Sequence, residues 1–315
     1  MNTTIPAIKV RNLTKSYKEK SVLKGVNLTV PQASIFSLLG SNGAGKTTIL
    51  KILATLLRPD SGSAEICSFD VVRQAGQVRS HISLTGQFAA VDELLTGKEN
   101  LWTIGELRHL LDKKEQADEL MELFRLTDVA DHPVSTYSGG MRRRLDIAMS
   151  MMGISPVIFL DEPTSGLDPQ NRLAMWDIIK SKASAGTTIF LTTQYLDEAE
   201  YLADHVAVLH EGVIIADGTA DELKDLLPRG IVQLQFKNKP ELEKAIELLR
   251  EYKVFNVECE CRLDVQTDGG AKQFADILNL LNQKNVEILK FCPKQSTLED
   301  AFLTLIGEKE GGHNP

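Results

Sequence analysis

The segment that most restricts the fold of this chain is a glycine-rich run over residues 40–47 with the pattern GxxxxGKT. An apolar run over 34–39 leads into it, and a segment with helical periodicity over 47–57 follows it. Glycines let the backbone wrap around a phosphate chain with its N–H groups inward, and a helix adds its positive N-terminal end. The context predicts an α/β fold with a phosphate-binding loop between a strand and a helix. The run consists of Gly40, Ser41, Asn42, Gly43, Ala44, Gly45, Lys46 and Thr47.

Two side chains at the end of this run are suited to the phosphates of a nucleotide. Lys46 is expected to bridge the outer phosphates, and Thr47 is expected to ligate Mg²⁺. The alternative is a glycine-rich turn with an incidental lysine. That alternative does not account for the strand before the run or for the helix after it.

A second motif is the apolar segment 157–160, which is followed directly by Asp161 and Glu162. A buried strand that ends in two carboxylates needs partners for them, because an unpaired carboxylate in that place is costly. Successive residues of a strand point to opposite sides, so the two carboxylates are expected to have different roles. We expect Asp161 to support Mg²⁺ and Glu162 to polarise the water that attacks the γ-phosphate.

A third motif is YSGGM over residues 137–141, followed by three arginines and an amphipathic helical pattern through Met152. A second glycine-rich helix start is a second place suited to an anion. The other interpretation is a serine N-cap with flexible glycines, and these residues alone leave both open. The arginines at 142–144 wind around a helix, so salt bridges or contacts with a partner subunit are expected of them.

The motif YSGGM resembles the LSGGQ signature of ATP-binding cassette (ABC) proteins, with Tyr for Leu and Met for Gln. Further motifs of that family occur in order over residues 7–220. The glutamine at position 194, YSGGM and the segment 296–302 are similar to the drug-resistance exporters of the daunorubicin type. The resemblance implies the P-loop ATPase fold of this family, with an N-terminal antiparallel β region and a helical subdomain at about 88–155. It also implies a homodimer with ATP between its two subunits.

The resemblance assigns residues to the ATP site by their place in the family motifs. An aromatic residue stacks on adenine, a glutamine contacts Mg²⁺, signature residues close over the ATP of the partner chain, and an aspartate belongs to the loop at the dimer interface. The implied residues are Tyr17 for stacking, Gln87 for the metal, Ser138, Gly139 and Gly140 for the signature, Asp168 for the interface loop, and Thr48 beside the phosphate loop.

Position 194 departs from the family pattern, which has a histidine that contacts the γ-phosphate. Gln194 follows the strand predicted over 188–191. An amide donates a hydrogen bond to a phosphate oxygen, but it carries no positive charge and transfers no proton. We expect Gln194, Lys46 and Ser138 to neutralise charge on the transferred phosphoryl group, with Glu162 as the base. Slow turnover is consistent with this departure.

Domain organisation follows from a break at residues 228–230, after a helix-like run and before alternating apolar residues. We assign 1–227 to the ATPase domain, 228–307 to a small α+β domain and 308–315 to a tail. The alternation over 255–265 is one strand or two, and two would give a βαββαβ order. The other elements expected in the second domain are a strand over 231–237, a helix over 241–252, a helix over 272–283, a strand over 286–291 and a helix over 297–306.

Composition and charge limit the remaining possibilities. The 315 residues carry 35 Lys and Arg against 43 Asp and Glu, and the net charge of −8 argues against nucleic acid as a partner. No segment reaches the roughly 18 consecutive apolar residues that cross a bilayer, and the start of the chain lacks the pattern of a signal peptide. A cytoplasmic location is expected. Cys259 and Cys261 are expected to be core-facing thiols on one strand rather than parts of a metal or redox cluster with Cys292.

The motifs and the resemblance together imply an ATP-hydrolysing subunit of an exporter. Such a subunit works with a separately encoded integral membrane permease and lies at the cytoplasmic face of the cell membrane through it. The expected cofactors are ATP and Mg²⁺, and the expected cargo is a drug, an antibiotic or a lipid. The alternatives are a soluble non-transport ABC ATPase and an ATP-dependent regulator whose C-terminal domain senses a ligand.

Overall fold

The computed structural model describes residues 5–87, 90–226, 230–257, 261–294, 297–302 and 305. Its strands are β1 (Ile8–Tyr17), β2 (Lys20–Val30), β3 (Ile35–Leu39), β4 (Ser61–Ile66), β5 (Phe69–Asp70), β6 (Ile82–Thr85), β7 (Val157–Asp161), β8 (Thr188–Thr193), β9 (His205–His210), β10 (Val213–Gly218), β11 (Gly230–Phe236), β12 (Val254–Val257), β13 (Arg262–Thr267) and β14 (Ile288–Lys294). Its helices are α1 (Lys46–Leu53), α2 (Ala75–His81), α3 (Gly97–Leu107), α4 (Lys113–Leu123), α5 (Gly139–Ser150), α6 (Pro169–Ser184), α7 (Leu196–Leu202), α8 (Ala220–Lys224), α9 (Lys239–Leu248) and α10 (Ala271–Gln283).

A sheet in the order β10-β9-β3-β8-β7-β6 forms the centre of the first part of the chain. Strands β9, β3, β8, β7 and β6 are parallel, and every residue of β3, β7 and β8 is buried. Both faces of the sheet are therefore covered, as parallel sheets require. Leu39 pairs with Thr193, and Asp161 pairs with Thr192. The segments that follow β3, β7 and β8 consequently begin side by side at one edge of the sheet.

The predicted N-terminal antiparallel region is present as a sheet in the order β2-β1-β4-β5. Its apolar side chains share one core with α1 and with one face of the central sheet. The opposite face of the central sheet shares a second core with helices α3 to α6. The α/β fold class predicted from the phosphate loop is confirmed.

The helical segment predicted at about 88–155 contains α3, α4 and α5. Thr96 begins α3 with a capping box: its Oγ1 accepts a hydrogen bond from Glu99 N at 3.2 Å, and Glu99 Oε2 accepts one from Thr96 N at 2.8 Å. The buried Tyr137 donates its hydroxyl to the carbonyl oxygen of Val129 at 2.6 Å. A Cβ at Gly97 would lie 2.4 Å from that hydroxyl, so Tyr137 packs closely against the start of α3.

The chain divides into two compact units, Met1–Ala220 and Asp221–Pro315. After most of α8, the second unit has the order β11-α9-β12-β13-α10-β14, and residues 298–302 of the predicted last helix are helical. Its antiparallel sheet is ordered β12-β13-β11-β14. The alternation over 255–265 is thus two strands, in which Val254 pairs with Val265. Helix α9 ends at Leu248 rather than at 252, and β14 covers 288–294 rather than 286–291.

The remaining predictions for this part of the chain concern its cysteines, the domain boundary and the tail. Cys261 lies in the turn before β13 with a φ of 47°, so the prediction of two thiols on one strand is wrong. Cys259, the predicted domain boundary at 228–229 and the predicted tail lie outside the described residues. No helix within the described ranges is both long and apolar enough to cross a membrane.

Candidate functional site

The loop between β3 and α1 has the backbone that its glycines predict. Gly43 and Gly45 have φ values of 84° and 114°, in the left-handed region that glycine adopts without steric cost. A Cβ at Gly40 would lie 2.4 Å from the carbonyl oxygen of Leu209, so the backbone passes too close to β9 for a side chain. The loop shape and the start of α1 at Lys46 follow from these constraints.

Lys46 lies over this loop as a buried cation, with 5% of its side chain exposed. Its Nζ donates to the carbonyl oxygens of Gly40 at 2.7 Å and of Ser41 at 3.2 Å, and it lies 3.5 Å from Glu162 Oε1. Burial lowers the pKa of the Lys46 ammonium, and the nearby Glu162 carboxylate opposes that shift. The ammonium is therefore positioned at the mouth of the loop, where outer phosphates are expected.

A set of hard oxygen donors lies beside the ammonium. Thr47 Oγ1 lies 3.4 Å from Asp161 Oδ1, and Thr192 Oγ1 donates to the same Asp161 oxygen at 2.5 Å. Mg²⁺ binds through few protein oxygens together with waters and phosphates, so a hydroxyl beside a carboxylate fits this ion. Among the described residues, no group of three or more His, Cys, Asp or Glu side chains could hold a metal ion by itself. Mg²⁺ does not need such a group, because waters and phosphates supply most of its ligands. Thr192 is a site residue that the sequence motifs did not indicate.

Glu162 is positioned by its backbone rather than by strand alternation. Strand β7 ends at Asp161, and Glu162 has a φ of 49°, which costs a non-glycine residue about 1 kcal/mol. The N–H of Glu162 donates to two oxygens of Thr192, the carbonyl oxygen at 3.1 Å and the hydroxyl Oγ1 at 3.2 Å. We predicted different roles for the two carboxylates from the alternation of side chains along a strand. That reason was wrong, because Glu162 lies outside the strand. The two carboxylates do have different partners, since Asp161 contacts Thr47 and Glu162 contacts Lys46.

A cavity of about 420 Å³ brings eight of the predicted residues together. Ten other predicted residues are not among the described residues that line it: Tyr17, Gly40, Ser41, Ala44, Ser138, Gly139, Gly140, Asp161, Asp168 and Gln194. Lys20 and Val22 line it although the motifs did not indicate them. The lining residues are Lys20, Val22, Asn42, Gly43, Gly45, Lys46, Thr47, Thr48, Gln87 and Glu162.

Tyr17 lies three residues before the lining residue Lys20, and Gln194 follows a strand residue that contacts the phosphate loop. Tyr17 ends β1, pairs with Lys20 of β2 and exposes 46% of its surface. Gln194 directly follows Thr193, whose carbonyl oxygen accepts the Gly40 N–H at 3.2 Å. The roles of Tyr17 in stacking and of Gln194 at the γ-phosphate stay predictions.

The signature segment forms the N-terminus of α5. Ser138 is the N-cap, and its Oγ accepts a hydrogen bond from Met141 N at 3.2 Å, a contact that stabilises a helix by about 1 kcal/mol. A Cβ built at Gly139 meets no heavy atom of the described residues within 4 Å, so this helix start is open to an approaching molecule. Asp168 likewise caps α6 by accepting from Asn171 N at 3.0 Å, and this hydrogen bond lowers its pKa.

The three arginines of α5 make some of the expected salt bridges, such as that of Arg143 with Asp146 at 3.2 Å, and other contacts as well. Arg142 does form a salt bridge with Glu93 at 2.8 Å, but it also donates to backbone carbonyls, as its two neighbours do. Arg144 Nη1 donates to the carbonyl oxygen of Phe124 at 2.9 Å. Arg143 is buried and reaches the carbonyl edge of β7. Charge alone did not predict these contacts, because carbonyl acceptors are not visible in a sequence.

Glu198 of α7 is a buried carboxyl that contacts the segment after β7. Its Oε1 accepts hydrogen bonds from Thr164 Oγ1 at 2.7 Å and from Trp176 Nε1 at 3.1 Å. Burial raises its pKa above the ordinary value of 4.5, Asp197 adds to the shift, and the hydrogen bonds oppose it. The side chain joins α7 to the segment after Glu162.

This buried acid predicts a pH dependence of folding. A carboxyl with a raised pKa binds more protons in the folded than in the unfolded state, so wild-type stability falls as pH rises from 4.5 through the raised value. The Glu198→Gln variant lacks this loss and is expected to gain stability relative to the wild type between about pH 5 and pH 8. Urea unfolding at both pH values measures the difference, with the exposed Glu200→Gln as the control. A stability difference that does not change with pH would contradict the prediction.

Comparison with known proteins identifies the class that this fold and site define. The family model described as "ABC transporter" matches residues 23–165. The chain belongs to the ABC transporter family, as one of its ATP-binding proteins. It is 42% identical to the daunorubicin/doxorubicin resistance ATP-binding protein DrrA of Streptomyces peucetius, over 96% of this chain and 92% of that protein. The resemblance predicted from the signature, including the drug-resistance branch, is confirmed.

Two further similarities extend this result. The linearmycin resistance ATP-binding protein LnrL of Bacillus subtilis (strain 168) is 30% identical over 95% of this chain and 98% of that protein. A solved dimeric ATP-binding cassette in a post-hydrolysis state with ADP and Pi matches with a TM-score of 0.61 and 25% identity. That match covers 67% of this chain and 98% of the other.

Proposed function

We propose that this chain is the ATP-hydrolysing subunit of an ABC exporter that acts through a separate integral membrane permease. The observation that carries the hydrolytic part is the position of Glu162. Its carboxylate lies 3.5 Å from Lys46 Nζ and next in sequence to the metal-binding candidate Asp161. A carboxylate in that place suits a base for the attacking water. The experiment that tests hydrolysis is release of phosphate from ATP by the purified chain.

The loop and its cation would bind and orient the phosphates. The N–H groups of the loop and the Lys46 ammonium neutralise phosphate charge, and Glu162 accepts the proton of the water. Thr47, Gln87 and Asp161 would hold Mg²⁺, which supplies further charge neutralisation at the phosphates. Gln194 would donate to the γ-phosphate without transferring a proton.

The active assembly in this proposal is a homodimer with two shared ATP sites. Each chain has one phosphate loop and one signature segment, and the latter does not line the cavity described above. The dimeric cassette with ADP and Pi to which this chain is similar supports such an assembly. Each site would combine the loop of one chain with residues 138–140 of its partner.

Mixing two inactive variants tests the shared sites. Lys46→Ala disables the loop, and Gly139→Asp places a negative charge at the open start of α5 without a steric clash in the chain itself. Either variant alone is expected to be inactive. A mixed dimer contains one site with an intact loop and an intact signature, so the mixture should regain ATP hydrolysis. A mixture of folded, ATP-binding chains that stays inactive would contradict sharing.

The transport part of the proposal rests on the relatives. Full-length similarity to resistance ATP-binding proteins for daunorubicin/doxorubicin and linearmycin supports export of a drug or antibiotic over a non-transport role. Affinity purification from detergent-solubilised native membranes, followed by mass spectrometry, tests the permease. Recovery of an integral membrane protein would support a peripheral location on the cytoplasmic face. Recovery of soluble partners alone would contradict it.

A further inference from the structure

Arg143 has an unusual set of partners for an arginine on a helix. It lies on α5 with 8% of its surface exposed, and every nitrogen of its guanidinium donates a hydrogen bond. Nε donates to Pro163 O at 3.1 Å, and Nη1 donates to Gly86 O at 2.6 Å. Nη2 donates to Asp161 O at 2.6 Å and to Glu162 O at 3.0 Å. One side chain therefore holds the backbone beside Gln87 and the backbone of the candidate base.

Asp146, on the same helix, completes this arrangement. Its Oδ2 accepts from Arg143 Nη1 at 3.2 Å, and its Oδ1 accepts from Ala90 N at 2.9 Å. The Arg143–Asp146 pair thus holds the chain at Gly86 and at Ala90, on both sides of Gln87. Burial raises the pKa of Asp146, while the Ala90 N–H and Arg143 oppose that shift.

The neighbouring arginines show that this arrangement is specific to position 143. Arg142 donates to Ser135 O at 2.9 Å, and Arg144 donates to Phe124 O at 2.9 Å, both within the helical segment. Arg143 instead connects that segment to the carboxyl edge of the central sheet. A buried guanidinium is costly unless all its hydrogen bonds are made, so the position of each acceptor is narrowly defined.

We propose that Arg143 is a positioning residue for ATP hydrolysis, which holds Gly86 and the Asp161–Glu162 backbone in one arrangement with α5. The kinetic part of this inference rests on the proposed function. Helix α5 begins at the signature segment, so a displacement of that segment by a partner chain would reach Glu162 and Gln87 through this side chain. Arg143 itself contacts neither the loop over 40–45 nor Lys46 in its hydrogen bonds.

Kinetics of Arg143→Gln and Arg143→Lys test the proposal. A misplacement of about 1 Å costs up to about 100-fold in rate, so kcat is expected to fall between about tenfold and 100-fold. ATP affinity should stay within about threefold, because the loop and Lys46 are untouched. Lysine keeps the charge but loses the planar fork, so it should not restore kcat. The matched control is Arg142→Gln, which is expected to retain the wild-type rate.

Hydrogen–deuterium exchange gives a readout that needs no turnover. In Arg143→Gln, amides over 82–87 and 157–164 are expected to exchange faster, and those of α1 to stay unchanged. A wild type that binds ATP without hydrolysing it would contradict the proposed function. The difference in amide exchange between Arg143→Gln and the wild type would still be measurable in that case. Unchanged exchange in both segments, or a folded variant with wild-type kcat, would overturn the proposal. If Arg143→Gln does not fold, Arg143→Lys and Asp146→Asn provide the same comparison.

Discussion

The Glu162→Gln variant is expected to bind ATP but to hydrolyse it about 10² to 10⁴ times more slowly than the wild type. Glutamine has nearly the shape of the carboxylate but cannot accept the proton of the attacking water. Its amide still fits beside Lys46, where Glu162 Oε1 lies 3.5 Å from Nζ in the wild type. Because the bound ATP is no longer consumed, the variant is also expected to accumulate as a dimer.

Phosphate release and size-exclusion chromatography with ATP measure these two effects. The exposed Glu119→Gln on α4 is the control, because the same substitution there should change neither. Turnover at the wild-type rate in Glu162→Gln would remove Glu162 from its role as base. If the variant lost both ATP binding and turnover, the substitution would instead have disturbed the loop.

The Lys46→Ala variant is expected to lose nucleotide affinity. A hydrogen bond to a charged group contributes about 1.5–3 kcal/mol, and each 1.4 kcal/mol corresponds to about tenfold in affinity, so ATP should bind about tenfold to 100-fold more weakly. The substitution also removes the donor for the Gly40 and Ser41 carbonyl oxygens and leaves Glu162 without its cation. Repulsion between that carboxylate and the phosphates would weaken binding further.

Titration of ATP against the folded variant measures this loss, and circular dichroism checks that the fold is retained. Lys51→Ala is the matched control, since Lys51 lies on the same helix α1 and is exposed. Undiminished affinity in Lys46→Ala would contradict the assignment of residues 40–47 to phosphate binding.

Local chain properties were enough to predict the phosphate loop and its surroundings. Gly43 and Gly45 adopt the left-handed φ values that other residues avoid, so the positions of the glycines in the sequence predict the shape of the loop. The buried strands β3, β7 and β8 appear as continuous apolar runs, and their parallel pairing places Lys46, Glu162 and Gln194 at one edge.

Contacts to the backbone were not predictable in the same way. In the sequence, Arg143 cannot be distinguished from the two arginines beside it. Its hydrogen-bond acceptors include the carbonyl oxygens of Pro163 and Gly86, which are 20 and 57 residues away in the chain. Thr192 contributes to the site through its register against Asp161, which no motif expresses. Periodicity also failed at Glu162, because the strand ends one residue earlier and the backbone turns.

The sequence by itself determined the fold class, the phosphate loop, the two carboxylates and the family. These depend on residue types at short spacings, where conformational preference and chemistry act locally. Only the tertiary structure decided which atoms meet: Lys46 with Glu162, Thr47 with Asp161, and Arg143 with the backbone on both sides of the site. Such contacts depend on distances of a few ångströms between segments far apart in the chain, and packing of the whole sheet and its helices sets those distances.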